Sequence, residues 1–268
     1  MSDAKDILEA GEKLAGPTIL KNGAAFLLAR GHQGEERVES LEKFLDHPIR
    51  AKQTVSVEDA DSFVSYFTRF KISSSVVFAK QGRATDRQFS VVGVLDYHGD
   101  APGHTEHRVT YTPPFSEEWA RWRGKDGQRM AQTDFALFVE ENSLDIVDSK
   151  AAVMVEVSQS LRAKKSVEFV SDQRLSDGSV QFTYNEDVKG TAGRGNVKVP
   201  EKFCIGVPIF FNGPAYKITA HLRYRIDGGK LAVWYDLHRA EYVEQDAFNE
   251  IVEKVQKGTG APMFRGSI

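Results

Sequence analysis

From Tyr216 to Arg239 the chain alternates between apolar and polar residues with almost no exception, and few folds accept that pattern. Tyr216, Ile218, Ala220, Leu222, Tyr224 and Ile226 share one parity, and Lys217, Thr219, His221, Arg223 and Arg225 share the other. A period of two belongs to a half-buried antiparallel strand, whose successive side chains point to opposite faces. Asp227-Gly228-Gly229 then supplies a turn that tolerates positive φ. The return run sets Leu231, Val233, Tyr235 and Leu237 on one face and Ala232, Trp234, Asp236 and His238 on the other. Closure at Gly228-Gly229 pairs Ile226 with Leu231, Tyr224 with Val233 and Leu222 with Tyr235. The apolar faces then coincide, whereas a slip of one residue would mix them. The same register places Arg223 opposite Trp234 and His221 opposite Asp236. The expectation is a central hairpin over residues 216–239 with one core face and one polar, net-basic face.

The remaining chain reads as helices and strands in segregated runs. Asp6 to Leu14 suits a short helix, Ile19 to Arg30 is ambiguous, and Val38 to Leu45 suits one or two helical turns. Ser56-Val57-Glu58-Asp59 opens a helix, with Ser56 and Asp59 as a weak capping box. Phe63, Tyr66, Phe67 and Phe70 form an aromatic stripe on it that reads as core rather than as a base-stacking platform. Strands are expected at Ser74 to Ala79, Phe89 to Tyr97 and His107 to Thr112. Pro113-Pro114 breaks the chain, and a helix N-capped by Ser116 carries Phe115, Trp119 and Trp122. Ala131 to Val139 is a further helix. Ser149 to Leu161 reads as a helix, although Val153-Met154-Val155 also suits a strand. Strands follow at Val167 to Val170, Val180 to Tyr184 and Lys202 to Phe211, where Pro208 suggests an edge or a bulge. Asp246 is expected to cap a last helix packed through Phe248, Ile251, Val252 and Val255. The order implies an α+β fold, mainly antiparallel sheet with several packed helices. Residues 1–50 read as an entry arm, 51–257 as a single domain and 258–268 as a frayed tail.

Bulk properties exclude some classes. A net charge of -3 gives no global attraction to nucleic acid or to an anionic membrane, so any such contact needs a local basic patch. Cys204 is the only cysteine, which rules out an internal disulfide and a thiolate metal cluster; in its apolar run it reads as a small buried side chain. No apolar run approaches membrane-spanning length, and the N-terminus lacks the pattern of a signal peptide, so a cytoplasmic location is expected.

Four constellations could carry chemistry. Asp96, His98, His104 and His107 lie in one strand-end and loop region and could ligate a divalent metal, although their spacing matches no zinc or hydrolase pattern; a polar surface loop is the other reading. On the hairpin, Lys217, His221, Arg223 and Arg225 with Trp234 could bind anions or stack on bases. The same residues could instead be cross-strand stabilisers, as a cation–π pair and a His221–Asp236 hydrogen bond under a covering helix. The glycine-rich stretch Lys189 to Lys198 contains Arg194 and could bring amides and cations to phosphate. It lacks the terminal Gly-Lys-Ser/Thr of a P-loop, and a flexible hairpin loop is the alternative. Trp119 and Trp122, three apart on one helix, belong to a core or to a subunit interface. No serine or cysteine stands in a nucleophile motif, and no cofactor is implied.

Taken in order, certain segments resemble a known family. They are Val57-Glu58-Asp59-Ala60-Asp61-Ser62-Phe63, Val94-Leu95-Asp96-Tyr97-His98, Trp119-Ala120-Arg121-Trp122, Met130-Ala131-Gln132-Thr133-Asp134-Phe135-Ala136, Phe138-Val139-Glu140 and Leu222-Arg223-Tyr224-Arg225, with the His107-Arg108 strand. The chain resembles the YfdQ-like phage and prophage family, a domain of unknown function, over roughly residues 40 to 255. The resemblance implies a bacterial or phage-encoded cytoplasmic protein encoded near genes of phage DNA metabolism, and it carries over no catalytic residue. The leading expectation is a self-associating, non-enzymatic accessory protein. A single-stranded nucleic-acid-binding protein and a metal-dependent hydrolase are the alternatives.

Overall fold

In the computed structural model the elements run, in chain order, as strands β1 (Phe26–Arg30), β2 (Glu36–Ser40) and β3 (Gln53–Val57), helix α1 (Ala60–Phe70), and strands β4 (Val76–Lys80), β5 (Ser90–Val94) and β6 (His107–Tyr111). Then come helix α2 (Glu117–Lys125), strand β7 (Met130–Ala131), and helices α3 (Gln132–Glu141) and α4 (Ala151–Ala163). Strands β8 (Glu168–Arg174), β9 (Val180–Val188), β10 (Thr191–Val199), β11 (Lys202–Pro208), β12 (Ala215–Asp227) and β13 (Lys230–Leu237) precede helix α5 (Ala240–Thr259) and strand β14 (Met263–Arg265). The structure describes residues 4–5, 26–30, 36–40, 42, 45–82, 87–147, 151–163, 168–188 and 191–268, with backbone alone at 26–30, 36–40, 151–152, 162–163, 186–188 and 191–194. The expected helix at Asp6 to Leu14 lies outside the described residues.

The hairpin forms in the expected register. Ile226 faces Leu231, Tyr224 faces Val233, Leu222 faces Tyr235, Arg223 faces Trp234 and His221 faces Asp236. Gly228 and Gly229 take φ of 54° and 74°, the left-handed region that the tight turn requires. The hairpin is the centre of a four-stranded antiparallel sheet ordered β11-β12-β13-β7. Pro208 ends β11, the edge strand, where its missing N–H breaks no ladder.

Helices α2 and α3 cover the apolar face of this sheet. Trp122 packs on Phe203 and Tyr235 with ring centres 6.0 and 5.3 Å apart, and Phe138 stacks on Tyr235. The Tyr235 hydroxyl donates to the Trp122 carbonyl at 2.6 Å, which ties α2 to the centre of the hairpin. A five-stranded mixed sheet, β14-β4-β5-β6-β3, forms a second layer. Phe63 and Phe67 of α1 are fully buried against it; Gly93 in β5 leaves room for the Phe67 ring, which an added Cβ would strike. Helix α5 buries Ala247, Phe248, Val252 and Val255 and packs along α1. A third sheet, β10-β9-β8, meets the hairpin tip, where Phe169 N–H donates to the Gly229 carbonyl and Tyr224 donates to Asp172. The described residues are α+β and mostly antiparallel.

Several local expectations need correction. The helix after Ser56 starts a turn later. Ser56 belongs to β3, and Asp59 is the N-cap, accepting from Ser62 N–H at 2.6 Å. Only half of the aromatic stripe is core: Phe63 and Phe67 are buried, Tyr66 is half-buried and Phe70 is exposed. Residues 38–40, expected to begin the helical segment Val38 to Leu45, belong instead to β2, which pairs with β1. Asp246 lies inside α5, which begins at Ala240 behind a left-handed Arg239. The tail is not frayed, because β14 pairs parallel with β4. The glycine-rich stretch is largely strand β10 paired with β9, and Gly195 is needed because the Tyr184 ring lies over its Cα. Cys204 is half-exposed on the polar side of β11, opposite Thr219, rather than in the core. Residues 151–163 are helical, in agreement with the first of the two readings.

Candidate nucleic-acid interface

The polar face of the β12-β13 hairpin is open, and at β11 Val147 lies over Gly206. Strand pairing brings Lys202 beside His221, and His221 beside Asp236, with Lys217, Arg223 and Arg225 on the same parity of β12. Lys202, Lys217, Arg223 and Arg225 are exposed, and Trp234 is half-exposed. Arg129, immediately before β7, lies over the Trp234 ring at 5.0 Å from its centre. Five cations therefore share this face with two carboxylates, Asp236 and Asp227.

Those carboxylates do not neutralise the face strongly. Arg223 Nε meets Asp236 Oδ2 at 2.9 Å, with both side chains about half exposed. Arg225 reaches Asp227 at 3.4 Å, with side-chain exposures of 57% and 77%. Exposed pairs of this kind contribute at most about 1 kcal/mol, so a phosphate can take the place of the carboxylate. The expected pairings were correct in register and wrong in partner. Arg223 reaches diagonally to Asp236 rather than stacking on Trp234, and His221 lies 5.7 Å from His238, ring centre to ring centre, in place of a bond to Asp236. Among the described residues no helix covers these exposed cations.

The other candidate residues are placed elsewhere. Lys198 belongs to the β10-β9-β8 sheet and pairs with Asp177 at 2.5 Å; that lysine, then Ser179, holds the Asp177 carboxyl well below the usual range. The side chain of Arg194 and all of residues 189–190 lie outside the described residues. Asp96 spends both carboxylate oxygens on the loop backbone, accepting from Glu106 N–H and His107 N–H at 3.0 Å each. His98 Nδ1 accepts from Gly103 N–H at 3.0 Å, and His104 is exposed. His107 is buried beneath α1, with its Nε2 at 3.0 Å from the Tyr66 hydroxyl and 3.4 Å from Gln53. Asp96 and His98 brace the loop, and the four residues do not converge. No group of three or more His, Cys, Asp or Glu among the described residues could hold a metal ion. Trp119 and Trp122 are fully buried inside the chain, bonded through their indole N–H groups to Glu244 at 3.0 Å and Asp145 at 2.7 Å. The interface reading of the pair fails, because neither ring reaches the surface.

Two members of the face, Arg129 and Lys202, were not foreseen. Lys202 could have been found from the parity of β11, but its register against β12 is a tertiary property. Arg129 lies outside any periodic run.

Fold and surface together describe an α+β protein whose central antiparallel sheet buries one face and leaves the other basic and open. The chain belongs to a family of uncharacterized conserved proteins, DUF2303, whose model matches residues 33–268. No curated protein and no solved structure matches it. No described helix is long and apolar enough to cross a membrane.

Proposed function

We propose that the chain binds single-stranded nucleic acid along the polar face of the β11-β12-β13 sheet. The observation that carries this reading is the exposure of Lys202, Lys217, Arg223, Arg225 and Arg129 on one face of the sheet that also presents Trp234. Cations track the phosphates, and an aromatic ring with an arginine over it gives unpaired bases a stacking surface. An exposed sheet face carrying an aromatic ring suits splayed single strands better than a duplex, whose bases are stacked away from it. This activity would serve the phage or prophage accessory role that the sequence resemblance implies.

The test is the salt dependence of binding to a labelled oligothymidylate. With about 0.7 released counterion per phosphate contact, three to five contacts give a log–log slope of roughly -2 to -3.5. Replacing Lys217 and Arg225 together by alanine should reduce the slope by about 1.4 without unfolding the chain, because both side chains lie on the exposed side. Absence of binding at low salt, or a slope unchanged by the double substitution, would refute the reading.

A further inference from the structure

On the opposite side of β12 from Lys217, a cleft of about 820 Å³ opens between the start of α1, the end of β6, the 210–214 loop and the outer side of α5. Its volume is in the range of small-molecule sites. Its character is the reverse of the basic face. Glu58, Asp59, Asp61 and Glu250 line it, with Lys254 as the cation among them. Lys254 is held by Asp61 at 2.7 Å, and Asp59 is occupied in capping α1. Glu58 and Glu250 are both exposed and supply the rest of the negative potential, with Glu250 facing the Tyr216 hydroxyl.

The walls are aromatic. Tyr111 is buried, Tyr216 is half-buried and Phe211 is 60% exposed at the rim. Asn212, next to Phe211, has φ of 57°, a left-handed conformation that asparagine adopts more readily than other non-glycine residues. The Tyr216 hydroxyl is enclosed and meets no hydrogen-bond partner of good geometry. Burial, followed by an off-geometry hydrogen bond to Glu250 and then by the charge of that carboxylate, pushes its pKa up, so the hydroxyl stays neutral and polar inside a negative cleft.

We propose that this cleft binds a small organic cation with an apolar body. The charged head would lie against Glu58 and Glu250, and the body against Tyr111, Tyr216 and Phe211. Aromatic faces and carboxylates both favour a cation, whereas an anion meets repulsion at the head position. The site is independent of the nucleic-acid face.

The test is calorimetric titration of the full chain with benzamidine, benzamide and benzoate, three probes of nearly one shape and different charge. Benzamidine should bind at least about tenfold more tightly than benzamide, the factor expected of one favourable charge contact, and benzoate should bind most weakly. Glu58→Gln combined with Glu250→Gln should bring benzamidine down to the level of benzamide. Both residues are exposed, and circular dichroism will show the variant folded. Equal binding of the three probes, no binding of benzamidine, or full benzamidine affinity in the double variant would each overturn the proposal. None of these results depends on whether oligonucleotides bind.

Discussion

Glu244 is the most heavily used charge in the interior, and replacing it by glutamine should be costly. Its side chain is 3% exposed near the start of α5. It accepts from Trp119 Nε1 at 3.0 Å and from Arg87 through both Nε, at 3.2 Å, and a terminal guanidinium nitrogen. Arg123 Nε, buried without a hydrogen bond, lies 3.8 Å from the same carboxylate. Glutamine keeps the volume and the acceptor for Trp119. It loses the charge and turns an amide N–H₂ toward a guanidinium. Removing one partner of a buried pair costs about 3–5 kcal/mol. The lower end applies, because the Arg87 side chain is 37% exposed and can turn to water. A loss of about 3 kcal/mol lowers the melting temperature by roughly 6–12 °C in a chain of this size. Scanning calorimetry on Glu244→Gln, Arg87→Met and the double variant reads the effect and its coupling. The coupling should be at least about 1 kcal/mol, since the two side chains share the bonds being removed. A melting temperature within about 2 °C of wild type, or strictly additive single effects, would show that the carboxylate does not hold α5 to the Arg87 segment before β5.

Asp59→Ala should cost about 1 kcal/mol through loss of the α1 cap, and Asp59→Asn much less at neutral pH. The Asp59 carboxyl is held below its usual value first by the Ser62 N–H. A lowered pKa contributes stability above the unfolded-state value and loses it as pH falls. Urea melts of wild type and Asp59→Asn should therefore converge below about pH 4; a gap that stays constant to lower pH would contradict this. Gly103→Ala should cost at least about 2 kcal/mol, because its Cβ would be driven into the Asp96 and Tyr97 carbonyl oxygens, which are backbone and cannot turn away. Amide exchange should then show Glu106 and His107 N–H losing protection, and preserved protection would refute the account of that loop as a brace built on Asp96.

The hairpin was legible because two constraints agree there. The alternation sets which face is buried, and the Gly-Gly turn sets the register, so a one-residue error would have been visible as a mixed face. Elsewhere one of the two was missing. Asp246 looks like an N-cap, but α5 begins earlier because burial of Ala240 and Glu244 against neighbouring elements outweighs the capping preference. The glycines of 190–195 look like a flexible loop; Gly195 is instead a strand position where another residue's ring, Tyr184, needs the space. The tail reads as frayed, yet backbone bonds to β4 order residues 263–265, and backbone bonds leave no side-chain pattern. The candidate site followed the same division. Its β12 residues were readable from parity, whereas Arg129 and Lys202 join the face only through pairings between distant segments.

Of the three tryptophans, Trp119 and Trp122 are fully buried and Trp234 stands half-exposed on the open face. Intrinsic fluorescence during the oligothymidylate titration therefore reports on one place. If single strands lie on this face, emission should be quenched in step with binding, the quench should reverse with added salt, and Trp234→Phe should abolish it while weakening the complex. Binding that leaves the wild-type emission unchanged, or a quench that persists in Trp234→Phe, would place the nucleic acid elsewhere on the molecule and contradict the central claim.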